Sequence, residues 1–563
     1  MDPIIPRLES TAMSAPVTER PVAGLSRTAA GRGVPLARLR ATAQQLERPW
    51  VGWAASVAVA LLALGMRLWH LGRPDELAFD ETYYAKDAWS LVNHGYVLKY
   101  VEDADKLILQ GDTRGFWQDE PSMAVHPDVG KWLIGLGEKL FGLDPTGWRV
   151  ASVVAGALMV LVMVRLARRI TGSTMLGVVA GLLLSFDGLH FVLSRLALLD
   201  IFVALFTLCA VHCVVADRQW FRARLAERVP DGVGRGGGPR LLWRPWLLTG
   251  GVMFGLAIGS KWTALYVLAA FGVLAWLWSA GARRSFGVRW ALPRSAVLDG
   301  IPAFGYLVVV GALVYTATWA GWLANADQYE QHLSDTQYTQ YDGGKPWPTA
   351  SEPDADGLGE VWQSLRSLAH YHRDVYVFHT HFLDDSDHTY QSMPSGWLLL
   401  NRPVGVSADT DIQPGTQGCD APEGSDCLRQ VLLLGTPVLW WGGCLALIAS
   451  AVLWVGRRDW RFGVPVVGTL VTWLPWLAND DRPIFLFYAI MCVPFLVLAT
   501  TLVMGVLIGD DRTPSPRRTA GVVVAGAWFV LVLVNFAWFW PIWTNQLLTH
   551  AEWADRIWFT RWI

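Results

Sequence analysis

The feature that most constrains this chain is a series of long apolar stretches separated by polar segments. A helix needs about 20 mostly apolar residues to cross a bilayer, and eleven stretches satisfy or approach that condition. They lie approximately at 51–70, 148–168, 174–192, 197–216, 245–260, 262–280, 298–322, 431–455, 463–478, 483–508 and 519–541. Only 17% of the residues are charged, which is low for a soluble domain. The pattern therefore predicts an α-helical polytopic membrane protein.

Arginine residues indicate how these predicted spans are oriented. Cytoplasmic loops carry an excess of Lys and Arg, and with a cytoplasmic N-terminus each of the five inner loops holds at least three arginines. Those inner loops are 165–173, 217–244, 281–297, 456–462 and 509–518. The predicted outer segments are two long loops, 71–147 and 323–430, and the tail 542–563.

This orientation divides the chain into five segments. They are a disordered cytoplasmic tail 1–48, a transmembrane core 49–322 that includes the first outer loop 71–147, the second outer loop 323–430, C-terminal transmembrane helices 431–541 and the outer tail 542–563. The formal net charge of −2 gives no electrostatic support to a nucleic-acid partner. The glycine-rich segment 232–240 follows no strand, so it is not predicted to bind a nucleotide.

The first outer loop contains two adjacent carboxylates, Asp80 and Glu81, in the sequence ELAFDETYYAKDAWSL. Charge at a membrane boundary is costly and therefore marks functional sites. A carboxylate there is suited to act as a general base, with the tyrosines that follow as walls for a sugar. The N-terminus of a helix also favours Asp and Glu, so a structural role for the pair remains open.

A second polar group in this loop, His126, Asp128 and Lys131, precedes an amphipathic stretch, and Arg149 follows at the start of the second span. The planar fork of Arg149 is suited to a lipid phosphate. A guanidinium that only extends to the headgroup region is the alternative interpretation.

Two further junctions between spans carry charge. The turn after the third span contains Arg195 and Asp200, which are close enough in sequence to form a structural ion pair. Lys261 is the only lysine at a span junction and needs an anionic partner, for which a phosphate and a carboxylate are equally suitable.

Cysteines and histidines of the second outer loop raise the question of a metal. Cys419 and Cys427 lie close together in a segment predicted to face an oxidising compartment, which favours a disulfide over two free thiols. Five histidines fall within 19 residues, namely His370, His372, His379, His381 and His388. Their spacing lacks a zinc motif, so we predict an outer helix with aromatic and histidine contacts and no metal or other cofactor.

Several segments, taken in order along the chain, resemble the protein O-mannosyltransferase family, which has the GT-C glycosyltransferase fold, and most closely its shorter actinobacterial branch. They include FDETYYAKDAWSL, EPSMAVHPDVGKWLIGLGEKLFG, FDGLHFVLSRLALLDIF, GLAIGSKWTALY, HYHRDVYVFH, SGWLLLNRPV and RIWFTRWI. The resemblance extends over residues 67–563. It departs from the family at Asp128, which stands where the family has the second proline of an HPP motif.

The resemblance implies mannose transfer from polyprenyl-phosphate-mannose to Ser or Thr hydroxyls of exported proteins. It assigns the family's acidic pair to Asp80 and Glu81, its first-span arginine to Arg67 and its lipid-phosphate arginine to Arg149. The other candidate substrate-binding residues are His126, Asp128, Lys131, Arg195, Asp200, Lys261 and Arg482. In this mechanism Asp80 accepts the hydroxyl proton, a cationic residue stabilises the departing lipid phosphate, and the anomeric centre is inverted.

The same resemblance implies a multi-pass plasma-membrane enzyme with an extracytoplasmic active site. Its expected partners are the donor lipid, secreted or membrane acceptors rich in Ser and Thr, and the protein export machinery. Another GT-C polyprenyl-phosphate-sugar transferase, acting on a lipid or glycan, is the alternative within enzymes. A transporter is the alternative from another class, but it would usually show internal repeats, and we find none.

Overall fold

We describe the fold from a computed structural model of the chain, which covers residues 47–230, 236–341, 345–383, 386–479, 481–509 and 514–563. A helix overlaps each of the eleven predicted apolar stretches. These helices are α1 (Pro49–Leu68), α2 (Pro145–Thr171), α3 (Thr174–Ser185), α4 (Asp200–Arg228), α5 (Pro245–Ile258), α6 (Ala264–Ser285), α7 (Ala291–Thr318), α8 (Pro437–Arg457), α9 (Trp460–Trp473), α10 (Val493–Ile508) and α11 (Pro516–Trp543). The predicted disordered tail, except for its last two residues, lies outside the described residues.

Seven of these helices are long and apolar enough to cross a membrane, namely α1, α2, α4, α6, α7, α8 and α11. The other four are shorter than their predicted spans. The third predicted stretch breaks where the Asp187 carboxylate accepts a hydrogen bond from the His190 backbone N–H and caps a separate short helix, Gly188–Leu193. The stretch predicted at 483–508 begins with a 3₁₀ turn, Leu486–Met491, and becomes α-helical only at α10.

The first outer loop folds into three helices, Glu81–His94, Ala104–Leu109 and Val129–Phe141, and an antiparallel ribbon. The ribbon pairs β1 (Leu98–Tyr100) with β2 (Trp117–Pro121). The apolar side of Val129–Phe141 packs on the helices that flank it, so the amphipathic stretch seen in the sequence is part of a folded layer. The sequence did not predict the ribbon.

The second outer loop continues into helices Ala326–Leu333 and Leu358–Val377 and then into a three-stranded antiparallel sheet. In this sheet β3 (Val404–Ile412) pairs with β4 (Cys427–Leu433), and β5 (Leu548–Thr549), from the C-terminal tail, pairs with the other edge of β4. Cys419 and Cys427 form a disulfide, as the sequence predicted. The remaining four cysteines are free.

A buried ion pair between Arg149 and Glu81 joins α2 to the beginning of the first outer loop. Both side chains are fully buried. The guanidinium donates to both Glu81 carboxylate oxygens, at 2.9 and 2.7 Å. Its remaining N–H groups donate to the backbone carbonyls of Leu71, Pro74 and Glu76.

This geometry corrects two interpretations of the sequence. All five N–H groups of Arg149 are used within the protein, so none is left for the lipid phosphate that the resemblance assigned to it. The Glu81 carboxylate also accepts from the backbone N–H groups of Ala78 and Ala197. Because its oxygens are saturated by these donors, Glu81 is a structural anchor and not a second candidate base.

We expect Arg149→Met to lower stability, because it leaves the Glu81 carboxylate buried without its counter-ion. Breaking such a pair typically costs roughly 3–5 kcal/mol. The measurement is thermal unfolding of the purified protein in detergent, beside Arg114→Gln, which alters an exposed arginine of the same loop. If an Arg149→Lys protein melts like wild type but binds polyprenyl phosphate more weakly, Arg149 binds the lipid phosphate and the structural interpretation is contradicted.

Candidate active site

A cavity of about 470 Å³ lies at the end of the helix bundle that carries the two long loops, which we call the loop end. Its wall combines charged side chains, which are suited to a phosphate or a proton transfer, with aromatic and aliphatic ones. The residues with ionisable side chains in this wall are His126, Asp200, Lys261, Tyr266, Tyr376, His379, Asp481, Arg482 and Tyr488. Four of them, His126, Asp200, Lys261 and Arg482, are candidates that the sequence had singled out.

Lys261 and Asp200 form an ion pair in this wall, with Nζ 2.7 Å from the Asp200 carboxylate. Lys261 lies between α5 and α6, and Asp200 is the first residue of α4, so the pair connects three helices. The ammonium group also lies 4.8 Å from the centre of the Tyr488 ring. The anionic partner that the sequence required for Lys261 is therefore a carboxylate. The alternative pairing of Asp200 with Arg195 is not formed, because Arg195 donates to backbone carbonyls instead.

Asp80 is positioned beside this pair by the backbone of the first outer loop. It immediately precedes the helix Glu81–His94. Burial raises the pKa of its carboxyl group to about 6, an effect that Lys261 opposes and Asp200 reinforces. A carboxylate with this pKa is ionised at neutral pH and is more basic than an ordinary aspartate.

The residue before Asp80 has an unusual backbone conformation. Phe79 adopts a φ of +53°, which is rare for a bulky side chain and must be stabilised by its surroundings. Its ring packs edge-on against Phe485 and Phe487, with centroids 5.5 and 5.8 Å apart. This aromatic contact and the neighbouring Glu81–Arg149 pair hold the segment that presents Asp80.

Arg482 also lies in the cavity wall and is held by His379. The Arg482 guanidinium donates from Nη1 to Nδ1 of His379 at 2.7 Å. Nε2 of the same imidazole lies 3.0 Å from the carbonyl oxygen of Val125, to which it must donate. Because one ring nitrogen accepts and the other donates, His379 is neutral. Burial and the nearby Arg482 lower the pKa of His379 to about 4, in agreement with this hydrogen-bond pattern.

The half-buried guanidinium of Arg482 has further donors to offer. Within the described part of the chain, its Nε and Nη2 groups have no hydrogen-bond partner. Nearby, the His126 ring stacks on the His379 ring with centroids 5.2 Å apart. Burial and the charge of Lys261 hold the pKa of His126 well below its usual range, so this ring is neutral as well. The cavity thus has two cations, Arg482 and Lys261, beside neutral imidazoles.

The other candidates of the first loop lie behind the cavity. Lys131 is buried and lies 3.2 Å from Asp87 and 3.4 Å from Asp128. It also donates to the backbone carbonyl of His126 at 2.9 Å. Neither Lys131 nor Asp128 is in the cavity wall. Their contacts fix the backbone from which the His126 ring projects.

Arg67 and Arg195 also lie outside the cavity wall. The buried Arg67 guanidinium lies 2.8 Å from Nδ1 of His190 and donates to the carbonyl of Ala63. Arg195 donates to the carbonyls of Arg67, Trp69 and His70 at the end of α1. Both arginines therefore hold helix ends together, and a direct contact with substrate is not supported for either.

Aromatic residues of the site were not identified from the sequence. Trp262, Trp476 and Tyr488 line the cavity, and the Trp262 ring stacks on His372 with centroids 5.6 Å apart. Their only signal in the sequence was their proximity to Lys261 and Arg482. In the described ranges, no group of three or more His, Cys, Asp or Glu side chains is arranged to hold a metal ion.

Two family profiles match the chain over most of its length. The profile described as dolichyl-phosphate-mannose-protein mannosyltransferase matches residues 57–314. The C-terminal four-transmembrane region of protein O-mannosyltransferase matches residues 364–562. The first match contains Asp80, Asp200 and Lys261, and the second contains His379 and Arg482.

Curated relatives match the chain along nearly its full length. A polyprenol-phosphate-mannose–protein mannosyltransferase of Mycolicibacterium smegmatis is 34% identical over 522 residues, which cover 91% of this chain and 93% of the relative. The enzyme of the same name from Mycobacterium tuberculosis is 33% identical, with 91% and 92% covered. That from Corynebacterium glutamicum is 31% identical, with 91% and 93% covered.

A solved structure shares the fold. The Saccharomyces cerevisiae protein O-mannosyltransferase Pmt1-Pmt2 complex bound to the sugar donor superposes with a TM-score of 0.66 at 13% sequence identity, covering 93% of this chain and 94% of the other. The fold is therefore of the GT-C type, as the resemblance in the sequence implied. With both halves matched by family profiles and relatives above 30% identity, the chain belongs to the protein O-mannosyltransferase family of membrane glycosyltransferases.

Proposed function

We propose that this enzyme transfers mannose from polyprenyl-phosphate-mannose to Ser or Thr hydroxyl groups of exported proteins. The observation that carries the proposal is a basic carboxylate, Asp80, that interacts electrostatically with Lys261 in the wall of a cavity that also contains a second cation, Arg482. The names of the bacterial relatives support the donor and a protein acceptor. They favour this function over transfer of another sugar to a lipid or glycan.

The reaction is a single displacement at the anomeric carbon. The Asp80 carboxylate accepts the proton of the acceptor hydroxyl while its oxygen forms a bond to that carbon. The bond between the anomeric carbon and the phosphate oxygen breaks, and the polyprenyl phosphate leaves as an anion. A stable anion needs no protonation, so no general acid is required. Attack from the opposite face converts a β-linked donor into an α-mannoside.

The growing charge on the phosphate is stabilised by Arg482 and Lys261 in this proposal. Arg482 offers two donor groups that have no partner within the described residues, and His379 fixes its orientation through Nη1. Lys261 contributes as a point charge, part of which Asp200 neutralises. These residues replace Arg149, whose donors are all used inside the protein.

The cellular setting of the proposal follows from the arginine-rich loops. They favour a cytoplasmic N-terminus and an extracytoplasmic loop end in the plasma membrane. Acceptors are then secreted or membrane proteins rich in Ser and Thr, which arrive unfolded from the export machinery. The experiment that tests the function is mannose transfer to a Ser/Thr/Pro-rich peptide from labelled polyprenyl-phosphate-mannose by the purified enzyme.

We expect Asp80→Asn to reduce transfer by about 10²–10⁴-fold, because the amide cannot accept the hydroxyl proton. The matched control is Asp75→Asn, which alters an exposed aspartate five residues earlier in the same loop. Initial rates at saturating donor and peptide are compared after both proteins are shown to melt like wild type. Near-normal turnover by a folded Asp80→Asn protein would remove Asp80 as the base.

The raised pKa of Asp80 predicts the acid limb of the pH profile. Only the carboxylate accepts a proton, and it is lost as the pH falls through about 6. We therefore expect kcat/KM for the acceptor peptide to fall below that pH by about tenfold per pH unit. An aspartate of ordinary pKa would retain activity to about pH 4, so a flat profile between pH 7 and 5 contradicts the assignment.

Arg482→Lys tests the phosphate site, because lysine keeps the charge but loses the planar fork. We expect at least a tenfold loss in kcat/KM for the donor lipid, equivalent to about 1.4 kcal/mol. The control is Arg366→Lys, in an exposed ion pair with Glu352 on the second outer loop. Donor kinetics that are the same for wild type and Arg482→Lys would exclude bidentate phosphate binding at this position.

A further inference from the structure

A second polar pocket lies at the opposite end of the helix bundle from the candidate active site. It has a volume of about 300 Å³. Its wall is formed by Glu47, Arg165, Arg168, Arg169, Gly172 and Gln219. Arg168 lies about 29 Å along α2 from Arg149, a distance close to the thickness of the hydrocarbon core. The pocket therefore lies at the other membrane boundary, which we call the arginine end.

Three arginines converge in this pocket because of their spacing on α2. Arg165, Arg168 and Arg169 stand at positions i, i+3 and i+4, which share one face of a helix. None of them forms an ion pair with a described residue. Arg168 donates to the Thr174 hydroxyl and to the backbone carbonyl of Glu47. Such partners are neutral, so Arg168 has no direct ion pair among the described residues.

The other two arginines also lack an anionic partner among the described residues. Arg169 contacts Nε2 of His212 and the side-chain oxygen of Gln219. Arg165 has no hydrogen bond to a described residue, and its Nη1 atom is buried without a partner. An unsatisfied buried donor is costly, so this Nη1 group needs a hydrogen-bond acceptor from outside the described residues.

Glu47, the carboxylate in the pocket wall, offsets only part of the charge of the three arginines and forms no ion pair with them. Its Oε2 atom accepts from the backbone N–H and from the hydroxyl of Thr174, at 3.0 Å each. Glu47 is therefore committed to the beginning of α3. With three arginines and one carboxylate, the pocket wall keeps a positive balance of charge.

The surroundings of the pocket place it beside lipid. The Arg165 guanidinium lies 4.0 Å from the centre of the Trp53 ring on α1. Trp50 and Trp53 are both more than half exposed, as is common for tryptophans at the headgroup level of a membrane. A ligand in the pocket would thus sit where phospholipid headgroups are most concentrated.

We propose that this pocket binds a phosphate group, supplied by the headgroup of an anionic phospholipid. Arginine forks match phosphate oxygens in geometry and charge. Anionic headgroups are attracted to basic clusters at the membrane surface. This site is separate from the candidate active site, and its occupant takes no part in the transfer reaction.

The experiment measures binding of short-chain phosphatidylglycerol to the delipidated, purified protein by native mass spectrometry. Dioctanoylglycerol, which lacks the phosphate, and inorganic phosphate are the comparison ligands. Arg165→Gln is the test variant, because its guanidinium has no hydrogen bond to a described residue whose loss would unfold the protein. Arg228→Gln is the control, because it removes the same charge from an exposed position at the arginine end.

We expect phosphatidylglycerol to bind wild type and the control equally, and at least tenfold more weakly to Arg165→Gln. Dioctanoylglycerol should show no such difference. If inorganic phosphate binds with the same dependence on Arg165 and the lipid adds nothing, the phosphate site stands but its source is soluble. Equal binding of phosphatidylglycerol to wild type and Arg165→Gln overturns the proposal. So does a lack of preference by wild type for phosphatidylglycerol over dioctanoylglycerol, a comparison that needs no variant.

Discussion

The arrangement of the loop end depends on one buried ion pair, between Arg149 and Glu81. A guanidinium without solvent must place all its N–H groups on acceptors, and here two carboxylate oxygens and three backbone carbonyls fill that requirement. The carbonyls belong to the segment between α1 and the helix that begins at Glu81. Satisfying Arg149 therefore fixes the backbone that precedes Asp80, and Glu81 ties the same segment to the start of α4 through Ala197.

Asp80 and Glu81, two adjacent residues that both carry a carboxyl group, consequently have different roles. Glu81 is saturated with hydrogen bonds and forms a buried ion pair with Arg149. Asp80 faces a partly balanced set of charges, in which Lys261 favours its ionised form and Asp200 disfavours it. Burial and this balance raise its pKa to about 6, while ionisation at neutral pH is kept. Asp80 immediately precedes the helix and Glu81 is its first residue, so the two carboxylates have different neighbours.

The sequence predicts the architecture well because apolar stretches of membrane length have few alternative structures. It also identifies most charged residues of the cavity, since charge near a membrane is rare. It could not assign partners. The sequence indicates that Arg149 needs an anionic partner, but it does not distinguish a lipid phosphate from the Glu81 carboxylate. Asp200 pairs with Lys261, 61 residues away, and not with the nearer Arg195. His379 is another such case, because its role depends on Val125 and Arg482 from distant segments.

The three-stranded sheet has a consequence for biosynthesis. Strand β4 immediately precedes α8, and its outer edge receives β5, which follows α11. Four helices of the bundle are thus enclosed between two strands that must hydrogen-bond to each other. During translation, the edge of β4 stays unpaired by β5 until all four helices have been synthesised and the last residues have reached the same end of the bundle. Formation of this short strand pair therefore requires that the entire C-terminal group of helices has folded back to the loop end.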